Sequence, residues 1–143
     1  MDQRKYPKTG VAALIFRDGQ LLLGQRKKMP GKNTWQCPGG LLELGESVFE
    51  CARRETMEET GLVIHNLAYG PYTNNRFPSE AEHSVTLYVQ AEYLSGEISH
   101  TELNLGDNWQ WFALDNLPSP LFLPLQILFD RHGGWLKSAG IIE

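Results

Sequence analysis

An α/β fold with a mixed sheet and helices on its faces is what this sequence predicts, on three observations. Two apolar runs, Val11 to Phe16 and Leu21 to Leu23, flank Asp18-Gly19, the dipeptide that type I′ hairpin turns favour. A stretch free of Gly and Pro, Val48 to Thr60, follows Ser47 and stops at Gly61, as a capped helix does. Val85, Leu87, Val89 and Ala91 alternate with Ser84, Thr86, Tyr88 and Gln90, the period-2 mark of a strand with one buried face. Strands before, between and after helices are the pattern of one α/β layer structure.

After the hairpin, a polar stretch from Gln25 to Thr34 leads into Trp35-Gln36-Cys37, a short extended piece, and Pro38-Gly39-Gly40 then turns the chain. Ser47 and Glu50 have the spacing of a capping box, which opens a helix of about three and a half turns. Leu62 to Ala68 reads as extended, and Trp109 to Leu114 as a further strand ended by Asp115-Asn116. Pro120 to Asp130 is apolar enough for a second helix, with Pro124 in its first turn or at a kink. From Arg131 onward, Gly133, Gly134 and Gly140 leave no clear pattern.

Composition narrows the function. At 143 residues, a single domain over 1–143 is the expectation. Thirteen Lys and Arg against 17 Asp and Glu give a net charge of −4, and the pI is near 5.6, which argues against a basic face for polymeric nucleic acid or anionic lipid. No apolar run approaches the roughly 18 residues of a membrane span, and the opening residues lack a signal-peptide core, so a cytoplasmic protein is expected. Cys37 and Cys51 have no metal-site spacing and read as reduced core residues.

The helix carries the chemistry. Offsets of three and four put Glu55, Glu58 and Glu59 on one face, two of them in the last turn, where the macrodipole disfavours anions. Together the like-charge pairs and the dipole cost on the order of 1–3 kcal/mol, partly offset by Arg54. A divalent cation reverses that sign. Oxygen ligands suit Mg²⁺ or Mn²⁺ better than zinc, and Mg²⁺ commonly shares its shell with substrate phosphates. The competing reading of three such glutamates is a solvated acidic helix face.

What precedes the helix decides between them. From Gly40, five residues lead to Glu46 and seven more to Arg54-Glu55-Thr56-Met57-Glu58-Glu59-Thr60-Gly61-Leu62. This resembles the Nudix box, Gly-x5-Glu-x7-Arg-Glu-U-x-Glu-Glu-x-Gly-U, where U is a bulky aliphatic residue. All seven fixed residues match over residues 40–62 and Leu62 fits the final U. Thr56 departs at the first U, where a β-branched side chain of similar shape still packs. Trp35, Pro38 and Gly39 are similar to the family's approach to the box.

The resemblance implies a Nudix-type α/β/α sandwich and Mg²⁺-dependent hydrolysis of a nucleoside diphosphate linked to another group. By position, Glu58 and Glu59 would be the principal metal ligands, joined by the carbonyl of Gly39 or Gly40. Glu55 would be a further ligand or the base, Arg54 would orient the glutamates, and Glu46 would brace the loop. Whether Glu55 or a distal carboxylate such as Asp107, Glu102 or Glu97 takes the proton stays open.

Outside the box, Thr73-Asn74-Asn75-Arg76-Phe77, His83-Ser84-Val85-Thr86 and Trp109-Gln110-Trp111 look like the MutT-type subgroup, which cleaves nucleoside triphosphates to monophosphate and pyrophosphate. The short length without an added N-terminal domain fits that subgroup better than the ADP-ribose pyrophosphatases. Candidate substrate contacts are Gly39, Arg26, Phe77, His83, Asp107 and Trp109, each weighed against an ordinary core or solvated role. Arg26, Lys27, Lys28 and Lys32 are candidates to steer the phosphate tail. Hydrolysis of ADP-ribose or a dinucleoside polyphosphate is the alternative activity, and a non-catalytic nucleotide sensor the alternative class. The oligomeric state stays open between monomer and homodimer.

Overall fold

The computed structural model describes residues 5–77, 81–99 and 106–143, the side chains of 106 and 107 excepted. Strands β1 (Lys8–Arg17) and β2 (Gln20–Arg26) form the expected hairpin. Asp18 and Gly19 both take positive φ, 50° and 77°, as the type I′ turn requires. Short strands β3 (Trp35–Gln36) and β4 (Gly39–Leu41) precede helix α1 (Val48–Thr60). Strands β5 (Val63–Phe77), β6 (Glu82–Ser95) and β7 (Gly106–Ala113) follow, then helices α2 (Leu123–Arg131) and α3 (Gly133–Ser138).

The sheet is mixed, in the order β3-β2-β1-β6-β5, with β4 paired to β1 and β7 to β2. The β1–β6 pair is parallel, and β1 pairs antiparallel with β2 and β4. Val11, Ala13 and Ile15 of β1 pack with Val89, Ala91, Cys51 and Ala52 beneath α1. Leu14 joins Leu21, Leu23, Tyr88, Leu125, Leu128 and Leu136 beneath α2 and α3 on the other face. A central strand apolar on both faces is what two covering helical layers demand, and the α/β/α sandwich expected from the sequence is the observed arrangement.

Helix α1 begins and ends where its signals lie. Ser47 accepts from the Glu50 N–H, Glu50 accepts from the Ser47 N–H, and Gly61 closes the helix at φ 80° with its N–H on the Met57 carbonyl. Pro124 stands in the first turn of α2, where its missing N–H costs nothing.

Three expectations are corrected. Gly39-Gly40 are not only a turn: with Leu41 they form β4, bonded to β1 through the register Val11↔Gly40 and Ala12↔Gly39. The extended segment after α1 runs far past Ala68, to Phe77, because β6 supplies a partner along its whole length and bulges absorb the irregular stretches. Strand β6 is covered on both faces, since Thr86 and Tyr88, on the face read as polar, are buried on the α2 side. Cys37 and Cys51 are free and buried, as read from the sequence.

Candidate active site

The loop from Leu42 to Ser47 is locked onto α1 by one side chain. Arg54 donates from Nε to Glu46 Oε2 at 2.6 Å and from Nη2 to Glu46 Oε1 at 3.0 Å, a two-pronged carboxylate clamp. Glu46 Oε1 also accepts the Glu43 N–H at 3.1 Å, so the carboxylate ties the loop to itself as well as to the helix. The Arg54 guanidinium holds the Glu46 carboxyl down, at about 2. Its remaining reach goes to Glu55 Oε1 at 2.8 Å and Glu58 Oε2 at 3.3 Å.

The three glutamates of the stripe therefore part company. Glu58 stays largely in solvent on the Arg54 side. Glu55 turns inward against β4: a Cβ built on Gly40 would lie 2.5 and 2.6 Å from its carboxylate oxygens. Only a residue without a side chain leaves room for backbone and carboxylate to meet there. Glu59 is 4% exposed; its Oε1 accepts the Gly39 N–H at 2.8 Å, and its Oε2 is buried with no hydrogen-bond partner. Burial pushes its carboxyl up to about 8, the Gly39 hydrogen bond opposing and the Glu55 charge adding. Burial raises Glu55 as well, against the pull of Arg54.

Among the described residues, no three His, Cys, Asp or Glu side chains are gathered about one point. Helical spacing alone does not set the three carboxylates: Arg54 holds Glu55 and Glu58 from its own side while Glu59 is drawn under β4. The donor set nevertheless suits a hard cation. A buried carboxylate oxygen without a partner is costly to leave so, and bare backbone at Gly40 stands beside a second carboxylate.

Glu59, Gly39 and Gly40 form one end of a cleft of about 320 Å³. Arg26, Lys28 and Lys8 lie along it, Ser84, Thr86 and Tyr88 line it from β6, and Phe77, Phe122 and Met29 supply apolar wall. Arg26 is anchored, donating to the Pro30 carbonyl at 2.7 Å and to Gln36 Oε1 at 2.8 Å, with its guanidinium 4.1 Å from the Phe122 ring centre. On the other side Phe122 stacks with Phe77, centroids 5.6 Å apart.

The sequence-derived candidates fare unevenly. Gly39, Gly40, Arg26 and Phe77 reach the cleft, although Phe77 is nearly buried and its ring is taken up by Phe122, so it is wall rather than stacking platform. Trp109 does not reach it: at 3% exposure it sits in the core beneath α1, against Gly24, where a Cβ would strike its ring. An aromatic at the buried centre of a strand goes where the apolar area is removed from water. His83 lies outside this cleft, on the exposed side of β6 beside Asn74. Asp107 is placed in β7 opposite Gln25, but its side chain and all of Glu102 fall outside the described residues. The Glu97 carbonyl packs behind Gly61 at the C-terminal end of α1. Thr56 is fully buried as its position in the box requires, with its hydroxyl unpartnered.

Sequence reading did not find Phe122, Gln36 or Lys8. Phe122 arrives through pairing of residues 120–122 with Trp35, whose N–H donates to the Pro120 carbonyl while its own carbonyl accepts the Phe122 N–H. No local pattern announces a contact across that many residues.

Comparison with known proteins agrees with this geometry. The chain is 38% identical to an NAD-capped RNA hydrolase NudC of Pseudomonas aeruginosa over 90% of its own length, and spans 44% of that protein. It is 34% identical to an ADP-ribose pyrophosphatase of Methanocaldococcus jannaschii, covering 90% of the chain and 78% of that protein. It is 29% identical to an oxidized purine nucleoside triphosphate hydrolase of Danio rerio, covering 89% and 84%. Among solved structures, a MutT NUDIX hydrolase from Burkholderia pseudomallei superposes with a TM-score of 0.81 at 32% identity, covering 89% of this chain and 98% of that one. The NUDIX domain family matches residues 6–131, and with the box wrapped around one end of the cleft the chain belongs to that family.

Proposed function

We propose that the chain is a Mg²⁺-dependent pyrophosphohydrolase of nucleoside triphosphates, releasing the nucleoside monophosphate and pyrophosphate. The observation that carries this is the pairing, at one end of a nucleotide-sized cleft, of the unpartnered Glu59 carboxylate with the Gly40–Glu55 contact, while Lys8, Arg26 and Lys28 line the rest.

Glu55, Glu58, Glu59 and the Gly40 carbonyl are the groups that would hold the cation, which when bound neutralises phosphate oxygens and acidifies a water. The chain's own part is positional. Arg54, fixed by Glu46, restrains Glu55 and Glu58 so that they are presented rather than searching rotamers. Gly39 holds Glu59 in place through its N–H. Arg26 acts through the loop it braces, and Lys28, exposed along the cleft, meets the phosphate tail. Glu55, with its carboxyl raised by burial, is the proton acceptor within reach of that end.

A second reading is hydrolysis of ADP-ribose, favoured by the Methanocaldococcus jannaschii relative, most of whose length this chain covers. The two are separated by product analysis on a panel of nucleoside triphosphates, ADP-ribose, dinucleoside polyphosphates and NAD with Mg²⁺, wild type against Glu59→Gln. Faster cleavage of ADP-ribose or NAD than of every triphosphate overturns the proposal. Tight nucleotide binding without any product overturns the enzyme reading of this cleft.

A further inference from the structure

We infer that Ser84 and Thr86, held from behind by Asn75, form a hydrogen-bond-donating strip on the cleft floor that reads an acceptor on the substrate's base and so favours a keto edge over an amino edge. This rests on the nucleotide reading above. Asn75 is fully buried on β5, directly opposite Ser84 in the register with β6. Its Nδ2 donates to Ser84 Oγ at 3.1 Å and to Thr86 Oγ1 at 2.9 Å. A hydroxyl offers one proton and two lone pairs, and here an amide proton takes a lone pair of each. The acceptor beside them, Asn75 Oδ1, is buried and bonded to nothing, so it does not take the hydroxyl protons. Among the described residues neither proton has a protein acceptor, and both side chains line the cleft. A ligand carbonyl completes that arrangement. A ligand amino group meets only the remaining lone pairs, so each hydroxyl proton must then find another acceptor on the ligand or in water.

Register puts the strip at nucleoside distance from the acidic end. Gly40 lies opposite Val11 on one side of β1, and Leu87, the neighbour of Thr86, lies opposite Val11 on the other. Two strand spacings, about 10 Å, therefore separate Gly40 from β6. With the phosphates held at Gly40 and Glu59, the base falls over Thr86 and Ser84, beside the apolar wall of Phe77 and Phe122.

The test is calorimetric titration with inosine and adenosine 5′-monophosphates, which share sugar and phosphate, in the presence of Mg²⁺. Wild type is expected to bind the inosine nucleotide about tenfold more tightly, the scale of one or two neutral hydrogen bonds. The double substitution Ser84→Ala and Thr86→Val brings the two ligands near parity. Asn75→Asp, of the same shape, accepts the hydroxyl protons instead, turns lone pairs toward the cleft and weakens or reverses the preference. Equal binding by wild type, no binding of either into the millimolar range, or a preference that survives the double substitution overturns the inference. A wild type that prefers inosine monophosphate yet cleaves no triphosphate discards the triphosphate reading and leaves the strip standing; triphosphate cleavage with no base preference in the titration does the reverse.

Discussion

Two adjacent glycines give opposite predictions from the same substitution. A Cβ on Gly39 would run into the Val11 carbonyl oxygen and lie 2.9 Å from Ala12 Cα, and both belong to the backbone of β1, which cannot yield without loosening the sheet. The nearest atoms a Cβ on Gly40 would meet are those of the Glu55 carboxylate, the far end of a side chain, which can yield by shifting on its Arg54 contact. Gly39→Ala should therefore cost about 2 kcal/mol by overpacking. At roughly 4 °C per kcal/mol for a chain of this size, Tm falls by about 8 °C. Gly40→Ala should leave Tm nearly unchanged, because only one partly solvated carboxylate moves. That movement has a size: 2.5 Å between the new Cβ and Glu55 Oε1 must open to an ordinary contact of about 3.5 Å, so the carboxylate shifts by about 1 Å. Misplacement on this scale costs about 10²-fold in rate. Scanning calorimetry and pyrophosphate release on both variants give the comparison. A Gly39→Ala protein as stable as wild type, or a Gly40→Ala protein with undiminished kcat, would refute the reasoning about which contacts are rigid.

The remaining predictions concern charge and core. Glu59→Gln and Glu58→Ala should each lower kcat/KM by about 10²–10³ on the best substrate, since each removes a carboxylate proposed to hold the cation that stabilises the reacting phosphates. In metal-free buffer, Glu59 favours its proton in the folded state up to about pH 8 against an ordinary value of 4.5, so the stability it contributes is fully present below about 4.5 and declines as pH rises toward 8. Urea midpoints at pH 6 and 8.5 should show that decline in wild type and much less of it in Glu59→Gln. Glu46 has the opposite sign: with its carboxyl held at about 2, the stability it contributes is present above 4.5 and lost as pH falls toward 2, and Glu46→Gln should flatten that acid limb. Trp109→Ala should destabilise by about 3–5 kcal/mol as a core deletion, while Trp109→Phe keeps the wild type's ranking of nucleotides, measured by relative kcat/KM.

How much of this was legible in the sequence depends on how local the cause is. Asp18-Gly19, the Ser47–Glu50 box and the Gly61 stop act within a few residues, and the hairpin and α1 lie where those signals put them. Box spacing likewise brought Glu46 to Arg54, because one loop and two helical turns connect them. The fate of Glu55, Glu58 and Glu59 was not legible, since it turns on which of them Arg54 can reach and which fits beneath β4. Trp109 and Phe77 show the same boundary: periodicity tells that an aromatic is on a strand, but only the covering elements tell which face is core and which is cleft. Phe122 and the Asn75 network depend on pairings between distant segments that no window of sequence contains.

The helix's acidic stripe is balanced differently in the folded protein than its sequence spacing alone implies. Read along the sequence, three crowded glutamates needed a dication to be tolerated. In the folded protein one arginine already meets most of that need, pairing with Glu46, Glu55 and Glu58. What it leaves unmet is concentrated in Glu59, buried with one oxygen unpartnered and its carboxyl raised to about 8. The fold therefore does not depend on a cation to hold the acidic stripe together, and a cation arriving at neutral pH must displace a proton from Glu59. Metal binding should release protons to the buffer, by an amount that shrinks as pH approaches 8, and its affinity should climb over the same interval. Calorimetry of Mg²⁺ binding in buffers of different ionisation enthalpy measures that release directly. If wild type releases no protons at pH 7, or if Glu59→Gln releases as many, the cation is not drawn to Glu59, whose buried oxygen has no partner among the described residues.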